Sequence, residues 1–320
     1  MTAMMAMILG SKFAAAGPPP APDNTAAWVA GGIVGLSTVQ RITFATDTAT
    51  ASLRGPLSYT TSQSAGASNS TSGWIGGGGY PGAIYQSIVS RITFATDTAT
   101  AVTKGPLTRE VIKFAAAGTP SYGWFGGGQV PATQSIIDRI DYSNDAATAS
   151  VRGPLSQATK YLGATSDGTT YGWWAGGYLS SPAPNTYSTV SRTVYATDTA
   201  TVSVRGPLSS SGYMVAGAGN TSYGWFGIGV NPAAGVVSII SRIDYANDTA
   251  TGSTRGPLSP TRTRITASGN NSYSWWSGGY APGNTTYVSR IDYANDTVAT
   301  STRGPLAAIT RAAQSVSGVQ

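Results

Sequence analysis

The charged residues of this chain recur in a fixed pattern, and their spacing makes them the side chains best suited to chemistry. Six arginines are each followed six residues later by an aspartate, and thirteen residues later by a cation that precedes Gly-Pro-Leu. The arginines are Arg41, Arg91, Arg139, Arg192, Arg242 and Arg290; the aspartates are Asp47, Asp97, Asp145, Asp198, Asp248 and Asp296; the second cations are Arg54, Lys104, Arg152, Arg205, Arg255 and Arg303. Such groups can form charge-assisted hydrogen bonds, or the carboxylates can bind calcium.

The pattern favours a structural latch made of ion pairs. A cation beside a strand that is covered on both faces is costly to bury unless it is paired. We therefore expect Arg139 to bind Asp145 or Asp141 of its own unit, and the equivalent arginines and aspartates of the other five units to pair in the same way.

Calcium binding is the alternative use of these carboxylates. Three units carry oxygen-rich sets, namely Asp141 with Asn144 and Asp145, Asp244 with Asn247 and Asp248, and Asp292 with Asn295 and Asp296. Three side chains fall short of the six to eight oxygens that calcium takes, and the other units lack the set. We expect no metal and no cofactor.

The composition leaves little material for catalysis. The chain has no His and no Cys, so the commonest general base and the thiolate nucleophile are both missing. Hydrolysis of glycosides could use two carboxylates, but outside the repeated units only Asp23, Glu110, Asp138 and Asp167 remain. Asp138 precedes Arg139, which favours an ion pair. We expect no enzyme activity.

The repeat that carries these charges also predicts the architecture. Successive first arginines lie 50, 48, 53, 50 and 48 residues apart, and a period near 50 is typical of kelch-like arrays. An aromatic-glycine run precedes each arginine at a variable distance and is centred on Trp28, Trp74, Trp124, Trp173, Trp225 and Trp275. Fixed offsets indicate one rigid hairpin, whereas variable offsets indicate a loop.

Each unit can be divided into four strands. In the third unit, strand b covers 122–127, strand c covers 136–142, and strand d covers 147–152. Strand d ends at Gly153-Pro154 because proline cannot donate to a ladder, and strand a spans 109–118. Six such antiparallel sheets around an axis form an all-β, six-bladed propeller, which leaves only short, protected edges.

The motifs resemble known repeats. The aromatic-glycine run, the strand ending in Arg-Ile-Asp-Tyr, the turn and the Arg-Gly-Pro-Leu exit resemble a divergent kelch-like repeat over roughly 25–320. The amino-acid sequence of 242–251, together with that of 255–258, further resembles repeat proteins of marine tailed phages, notably those infecting cyanobacteria. That resemblance implies a virion structural protein of a fibre, baseplate or capsid surface. Ser274 before Trp275 and Thr193-Val194 depart from the repeat.

The two chain ends compete for one position in the ring. Strand a has seven candidates, because 12–17 repeats 113–118 letter for letter while 310–318 resembles 261–269. A closed ring takes six, and we expect 310–317 to complete the blade of Trp28. Residues 1–24 are then an N-terminal arm, which we expect to contact other virion proteins; further copies of this chain are an open alternative.

The loops between strands b and c offer candidate binding residues. Loops on a rigid scaffold usually carry recognition, and their tyrosines could present flat amphipathic rings to sugars or proteins. These are Tyr80, Tyr85, Tyr178, Tyr187, Tyr280 and Tyr287. The alternative is that the rings only pack over a blade. A lectin-like module that recognises host surface glycan is therefore the second candidate function.

The net charge of +6 says less about partners. Outside the repeated pairs the cations are scattered along the chain, at Lys12, Arg109, Lys113, Lys160, Arg262, Arg264 and Arg311. A nucleic-acid surface needs cations clustered on one face with stacking aromatics, so we expect no nucleic-acid partner. The apolar start is too short to span a bilayer, and we expect no membrane insertion.

Overall fold

The fold was analysed on a computed structural model, which describes residues 25–33, 35–80, 84–180 and 185–317. They form a six-bladed β-propeller of four-stranded antiparallel blades, as predicted. The arm predicted over 1–24 lies outside the described residues. Among the residues described, no helix is both long and apolar enough to cross a membrane.

The strands follow one another in the predicted order. Blade 1 contains β1 (Ala26–Ala30), β2 (Val39–Thr43) and β3 (Ser52–Arg54); blade 2 contains β4 (Ala65–Ser68), β5 (Ser72–Gly76), β8 (Val89–Thr93) and β9 (Val102–Lys104), with β6 (Gly79–Tyr80) and β7 (Ile84–Tyr85) as a hairpin between β5 and β8; blade 3 contains β10 (Ala115–Gly118), β11 (Tyr122–Gly126), β12 (Ile137–Asp141) and β13 (Ser150–Arg152).

The second half of the ring repeats this arrangement. Blade 4 contains β14 (Gly163–Ser166), β15 (Tyr171–Ala175), β18 (Val190–Val194) and β19 (Ser203–Arg205), with the hairpin β16 (Tyr178–Leu179) and β17 (Asn185–Thr186); blade 5 contains β20 (Ala216–Gly219), β21 (Tyr223–Gly227), β24 (Ile240–Asp244) and β25 (Ser253–Arg255), with the hairpin β22 (Val230–Asn231) and β23 (Gly235–Val236); blade 6 contains β26 (Thr266–Gly269), β27 (Tyr273–Ser277), β30 (Val288–Asp292) and β31 (Ser301–Thr302), with the hairpin β28 (Tyr280–Ala281) and β29 (Gly283–Asn284). The last strand is β32 (Gln314–Ser317).

A short 3-10 helix follows strand c in every blade. The six helices are Phe44–Thr46, Phe94–Thr96, Tyr142–Asn144, Tyr195–Thr197, Tyr245–Asn247 and Tyr293–Asn295. In blade 3 it occupies the predicted turn, and the N–H of Ala147 then bonds to the carbonyl of Asn144. Because this connection is longer than expected, strand d begins at Ser150 rather than at residue 147.

The ring is closed by the C-terminal end of the chain. β32 pairs antiparallel with β1, with Ala27 opposite Ser317 and Ala30 opposite Gln314. The innermost strands β32, β4, β10, β14, β20 and β26 each contact the same strand of both neighbouring blades. The predicted closure within 310–317 is confirmed, because β32 takes the strand a position of blade 1. The competing candidate, 12–17, lies outside the described residues.

Strand a begins later than the sequence suggested. In blade 3 it starts at Ala115 rather than at residue 109. Lys113 has a φ of 63°, a left-handed conformation that cannot continue an extended strand. The preceding residues instead cross the end of the blade as the connection from strand d.

The core lies between the blades. The tryptophan of each strand b is buried and stacks on the aromatic residue that follows strand c of the next blade, with ring centroids 3.7 to 4.0 Å apart. Trp124, for example, stacks on Tyr195. Aromatic burial thus joins neighbouring blades, as expected for these rings.

The strand directions give the disc two different faces. The b–c loops and the d–a connections lie on one face, called here the hairpin face; the a–b turns and the ends of strands c lie on the opposite face. In blades 4 and 6 the first strand of the hairpin is bridged to the d–a connection, at Lys160 with Tyr178 and at Thr263 with Tyr280. The candidate tyrosines Tyr178 and Tyr280 are therefore held close to the connection that leads into strand a.

Candidate functional site

The repeated ion pairs connect neighbouring blades. The carboxylate of Asp198 in blade 4 accepts hydrogen bonds from Trp124 Nε1 at 2.9 Å and Arg139 Nη1 at 3.0 Å, and Arg152 Nε lies 3.5 Å away. All three donors belong to blade 3. The charged residues are paired, but the predicted pairing of Arg139 within its own unit is wrong.

The strand register explains the correct partner. Trp124 lies directly opposite Arg139 in the ladder, so both side chains project from the same face of the blade toward the next one. The aspartate follows the 3-10 helix of that next blade and is buried between the two. The same cluster occurs six times: Asp97 with Trp28, Arg41 and Arg54; Asp145 with Trp74, Arg91 and Lys104; Asp198 with Trp124, Arg139 and Arg152; Asp248 with Trp173, Arg192 and Arg205; Asp296 with Trp225, Arg242 and Arg255; and Asp47 with Trp275, Arg290 and Arg303.

The Gly-Pro-Leu motif extends each cluster with backbone bonds. The N–H of Gly153 donates to the carbonyl of Asp198 at 2.8 Å, and the carbonyl of Pro154 accepts from the N–H of Val202 at 3.0 Å. A Cβ at Gly153 would clash with the carbonyl of Ala200, so the contact requires glycine. The repeated charges and the motif together form a clasp between each pair of blades.

This arrangement occupies the carboxylates proposed for calcium. In blade 3, Asp141 accepts from the backbone N–H of Ser143, whereas Asp145 is bound by Trp74, Arg91 and Lys104 of blade 2. The set is therefore split between two separate contacts. Nowhere in the described ranges do three His, Cys, Asp or Glu residues come together in a way that could hold a metal ion.

Asp138 pairs with a different arginine from the one expected. Its carboxylate is fully buried, bound by Arg109 Nη1 at 2.8 Å and Thr108 Oγ1 at 2.5 Å. Burial raises the pKa of Asp138, and the positive charge of Arg109 opposes that shift. Arg262 is likewise fully buried, and burial lowers its pKa to about 10. Arg109 and Arg262 thus serve the interior of the fold.

Four of the remaining cations converge on the hairpin face. Six residues with left-handed φ angles of 52 to 63° stand at equivalent positions around the mouth of the axial channel: Gln63, Lys113, Tyr161, Met214, Arg264 and Ala312. Lys160 and Arg311 are adjacent to two of them. The expectation that these cations are scattered is wrong for Lys113, Lys160, Arg264 and Arg311.

Backbone hydrogen bonds hold this ring of residues in place. The N–H of Lys113 donates to the carbonyl of Gln63, and the N–H of Tyr161 donates to that of Lys113. On the other side, Ala312 donates to Arg264, and Gln63 donates to Ala312. Because each bond crosses from one blade to the next, the side chains at the mouth are presented by a rigid frame.

The candidate tyrosines occupy three kinds of position on this face. Tyr280 and Tyr287 are exposed, by 40% and 46%, and the guanidinium of Arg311 lies 4.9 Å from the centre of the Tyr280 ring. Tyr80 and Tyr85 are half-buried and line a cleft of about 310 Å³. Tyr178 and Tyr187 are half-buried as well, and Tyr178 packs on Tyr213, 5.3 Å between centroids. Their role in binding stays a prediction.

The residues at the mouth were missed, although the sequence contains a signal for them. Gln63, Lys113, Tyr161, Met214, Arg264 and Ala312 each lie eight residues after the glycine of Gly-Pro-Leu. A constant offset indicates equivalent positions, but it does not show that they face the axis. Their position around the axis follows from the closure of the six blades into a ring.

The chain is without a match both among protein-family models and among curated proteins. The geometry therefore carries the functional proposal. Between the blades, the charged residues are paired with one another. On the hairpin face, cations without an acid partner among the described residues lie beside aromatic rings.

Proposed function

We propose that this chain is a non-enzymatic structural protein of a tailed-phage virion, a kelch-like propeller displayed on a fibre, baseplate or capsid surface for assembly or host contact. The observation that carries the proposal is the contrast between its charges. The charges between blades are paired in the clasps, whereas the hairpin face presents tyrosines and cations that have no acid partner in the described part of the chain, on a rigid frame. The motif resemblance supplies the class of particle.

The clasps also suit a protein that is exposed outside a cell. The chain has no cysteine, so disulfides cannot stabilise it there. Six buried aspartates, each bound by donors from the preceding blade, join every pair of neighbours, including blades 6 and 1 through Asp47.

Locating the chain in purified particles tests this proposal. The full chain is expected to copurify with intact virions and to be found on their surface by density mapping or antibody labelling. A chain that lacks 1–24 is expected to keep its thermal unfolding midpoint but to be absent from particles, because the arm is proposed to contact other virion proteins. Absence of the full chain from particles would rule the virion role out.

Glycan binding is the second candidate function, favoured by the exposed rings of Tyr280 and Tyr287. The isolated chain is expected to bind cell-surface polysaccharide, and Tyr280→Ala with Tyr287→Ala is expected to weaken that binding. The control is Tyr59→Phe, because Tyr59 is a tyrosine whose hydroxyl bonds to the backbone of its own blade. No binding by the unaltered chain would leave only the structural role, and equal binding by all three chains would show that Tyr280 and Tyr287 are not the glycan site.

A further inference from the structure

The cations at the axial mouth have no acid partner among the residues that the structure describes. Lys160 is only 6% exposed, yet the described hydrogen bonds of its Nζ go to neutral groups, Gln129 Oε1 at 2.9 Å and Ser180 Oγ at 3.2 Å. Lys113 Nζ binds the same Gln129 oxygen at 3.2 Å. A buried cation without a counter-charge is costly, so this cluster is not explained by stability.

The cations also repel one another. Burial, Lys160 and Arg264 all lower the pKa of Lys113, and burial with Arg264 lowers the pKa of Arg311. Glu110, which precedes Lys113 in the same connection, is exposed. Uncompensated repulsion of this kind is typical of sites that a ligand of opposite charge completes.

A cleft of suitable size opens beside the cluster. It measures about 310 Å³ and is lined by Arg264, Arg311, Tyr80 and Tyr85. Gln63 and Arg264 line both this cleft and the axial mouth, so the two spaces are adjacent. Gln63 Oε1 and Arg311 Nε are buried there without a hydrogen-bond partner, which leaves polar atoms for a ligand to satisfy.

Aromatic rings border the cations on both sides. Arg311 lies over Tyr280, Lys113 lies 5.2 Å from the ring centre of Tyr161, and Lys160 lies 5.4 Å from that of Tyr178. Rings of this kind can pack against the apolar faces of sugars while the cations bind charged substituents. Nucleic acid is a poorer fit, because its phosphates need cations along a track, whereas these cations form two groups, Lys113 with Lys160 and Arg264 with Arg311.

We propose that the axial mouth and its cleft bind an acidic oligosaccharide, with Arg264, Arg311 and Lys113 receiving its carboxylate or sulfate groups and Lys160 adding positive charge beside Lys113. This inference rests on the glycan-binding candidate and names the chemical class of its ligand. It is independent of the virion role, because binding is measured on the isolated chain while incorporation is measured on particles.

Calorimetric titration at physiological salt tests the proposal, since nonspecific attraction is then screened beyond about 8 Å. The probes are an oligogalacturonate for carboxylates, a heparin-derived oligosaccharide for sulfates, a neutral oligosaccharide of the same length, and single-stranded oligothymidine. One of the two acidic sugars is expected to bind with one molecule per chain. No binding of either acidic sugar, equal binding of the neutral sugar, or tighter binding of oligothymidine would each overturn it.

Variants separate the site from net charge and from folding. Arg264→Gln with Arg311→Gln is expected to reduce affinity by roughly tenfold or more per guanidinium. Asp244→Asn with Asp292→Asn makes the chain more positive on the opposite face, where both aspartates cap 3-10 helices, and is expected to leave affinity unchanged. Higher affinity in the aspartate variant, or unchanged affinity in the arginine variant, would show that the ligand does not bind at the proposed site.

Gln63→Glu provides a second variant for the case in which the arginine variant folds poorly. It places a carboxylate beside Lys113 in the ring at the mouth, in the same cleft as Arg264. The expected result is a higher thermal unfolding midpoint with a loss of acidic sugar binding, opposite signs that a purely structural role would not produce. Unchanged affinity with Gln63→Glu would contradict the proposal.

Discussion

At the scale of single residues, the two sets of charges differ in how they are compensated. Asp198 is 6% exposed and receives an indole N–H and two guanidinium groups. Four of the six first arginines also lie over a tyrosine of their own blade, as Arg139 does over Tyr122 at 4.4 Å. The equivalent residue is Ser72 in blade 2 and Ala26 in blade 1, and there Arg41 and Arg91 are 30% exposed, against 18 to 23% for the others. The stacked tyrosine thus shields the ion pair.

Removal of one buried carboxylate is expected to leave its donors uncompensated. Asp198→Asn deprives Arg139 and Arg152 of their counter-charge, and breaking a buried pair in this way costs about 3 to 5 kcal/mol. Chemical denaturation measures the change. The matched control is Asp141→Asn. The asparagine keeps an Oδ1 that can accept from the N–H of Ser143, so stability is expected to change by less than about 0.5 kcal/mol. Equal effects would show that the clasp is not buried in solution.

Removal of an uncompensated cation is expected to have the opposite sign. Burial lowers the pKa of Lys160 in the folded chain, so the unfolded chain binds more protons and stability rises with pH toward the ordinary lysine pKa. At neutral pH the charged form therefore destabilises the fold. Lys160→Met is expected to raise the thermal unfolding midpoint at pH 7 and to flatten its rise between neutral and alkaline pH. A lower midpoint would indicate a structural role for the ammonium group.

At the scale of elements, the repeat predicts more about strands than about their partners. Strands b and c are found within one or two residues of their expected bounds, because the aromatic-glycine run and the turn after strand c are local features. The partner of Arg139 lies 59 residues away, and an offset within one unit cannot reveal a contact that exists only after two units stack. For the same reason, the constant offset of the mouth residues from Gly-Pro-Leu could not show that they meet around the axis.

The glycine of that motif is expected to be indispensable. At Gly153 a Cβ would meet the carbonyl of Ala200 in the next blade, and backbone cannot move aside without loosening the clasp. Gly153→Ala should therefore destabilise the fold by more than about 2 kcal/mol, as in overpacked sites. Gly235→Ala is the comparison, because its φ is 77° and nothing lies near its Cβ, so only the backbone cost of about 1 kcal/mol applies. Similar losses at both positions would contradict the steric explanation.

At the scale of the whole molecule, blade 1 alone is built from both ends of the described chain. Its inner strand β32 pairs with β1, while Val316 of β32 is fully buried against Ile75 of blade 2. The side chains of Ser315 and Ser317 donate to the backbone carbonyls of Ala267 and Gly269 in blade 6. One strand therefore joins blades 6, 1 and 2.

Loss of this strand is expected to open the ring, and its return in trans is expected to close it. A chain ending at residue 309 lacks β32, so it exposes the edge of β1 and the apolar faces of two neighbouring blades. It should unfold at a lower temperature and elute as a larger or self-associated species. A synthetic peptide of 310–320 can add to the open edge by strand pairing and should restore the native midpoint. The same peptide with Val316→Asp carries a charge into the buried contact with Ile75 and should fail. Restoration by both peptides, or an unchanged midpoint after truncation, would mean that β32 does not hold the ring closed.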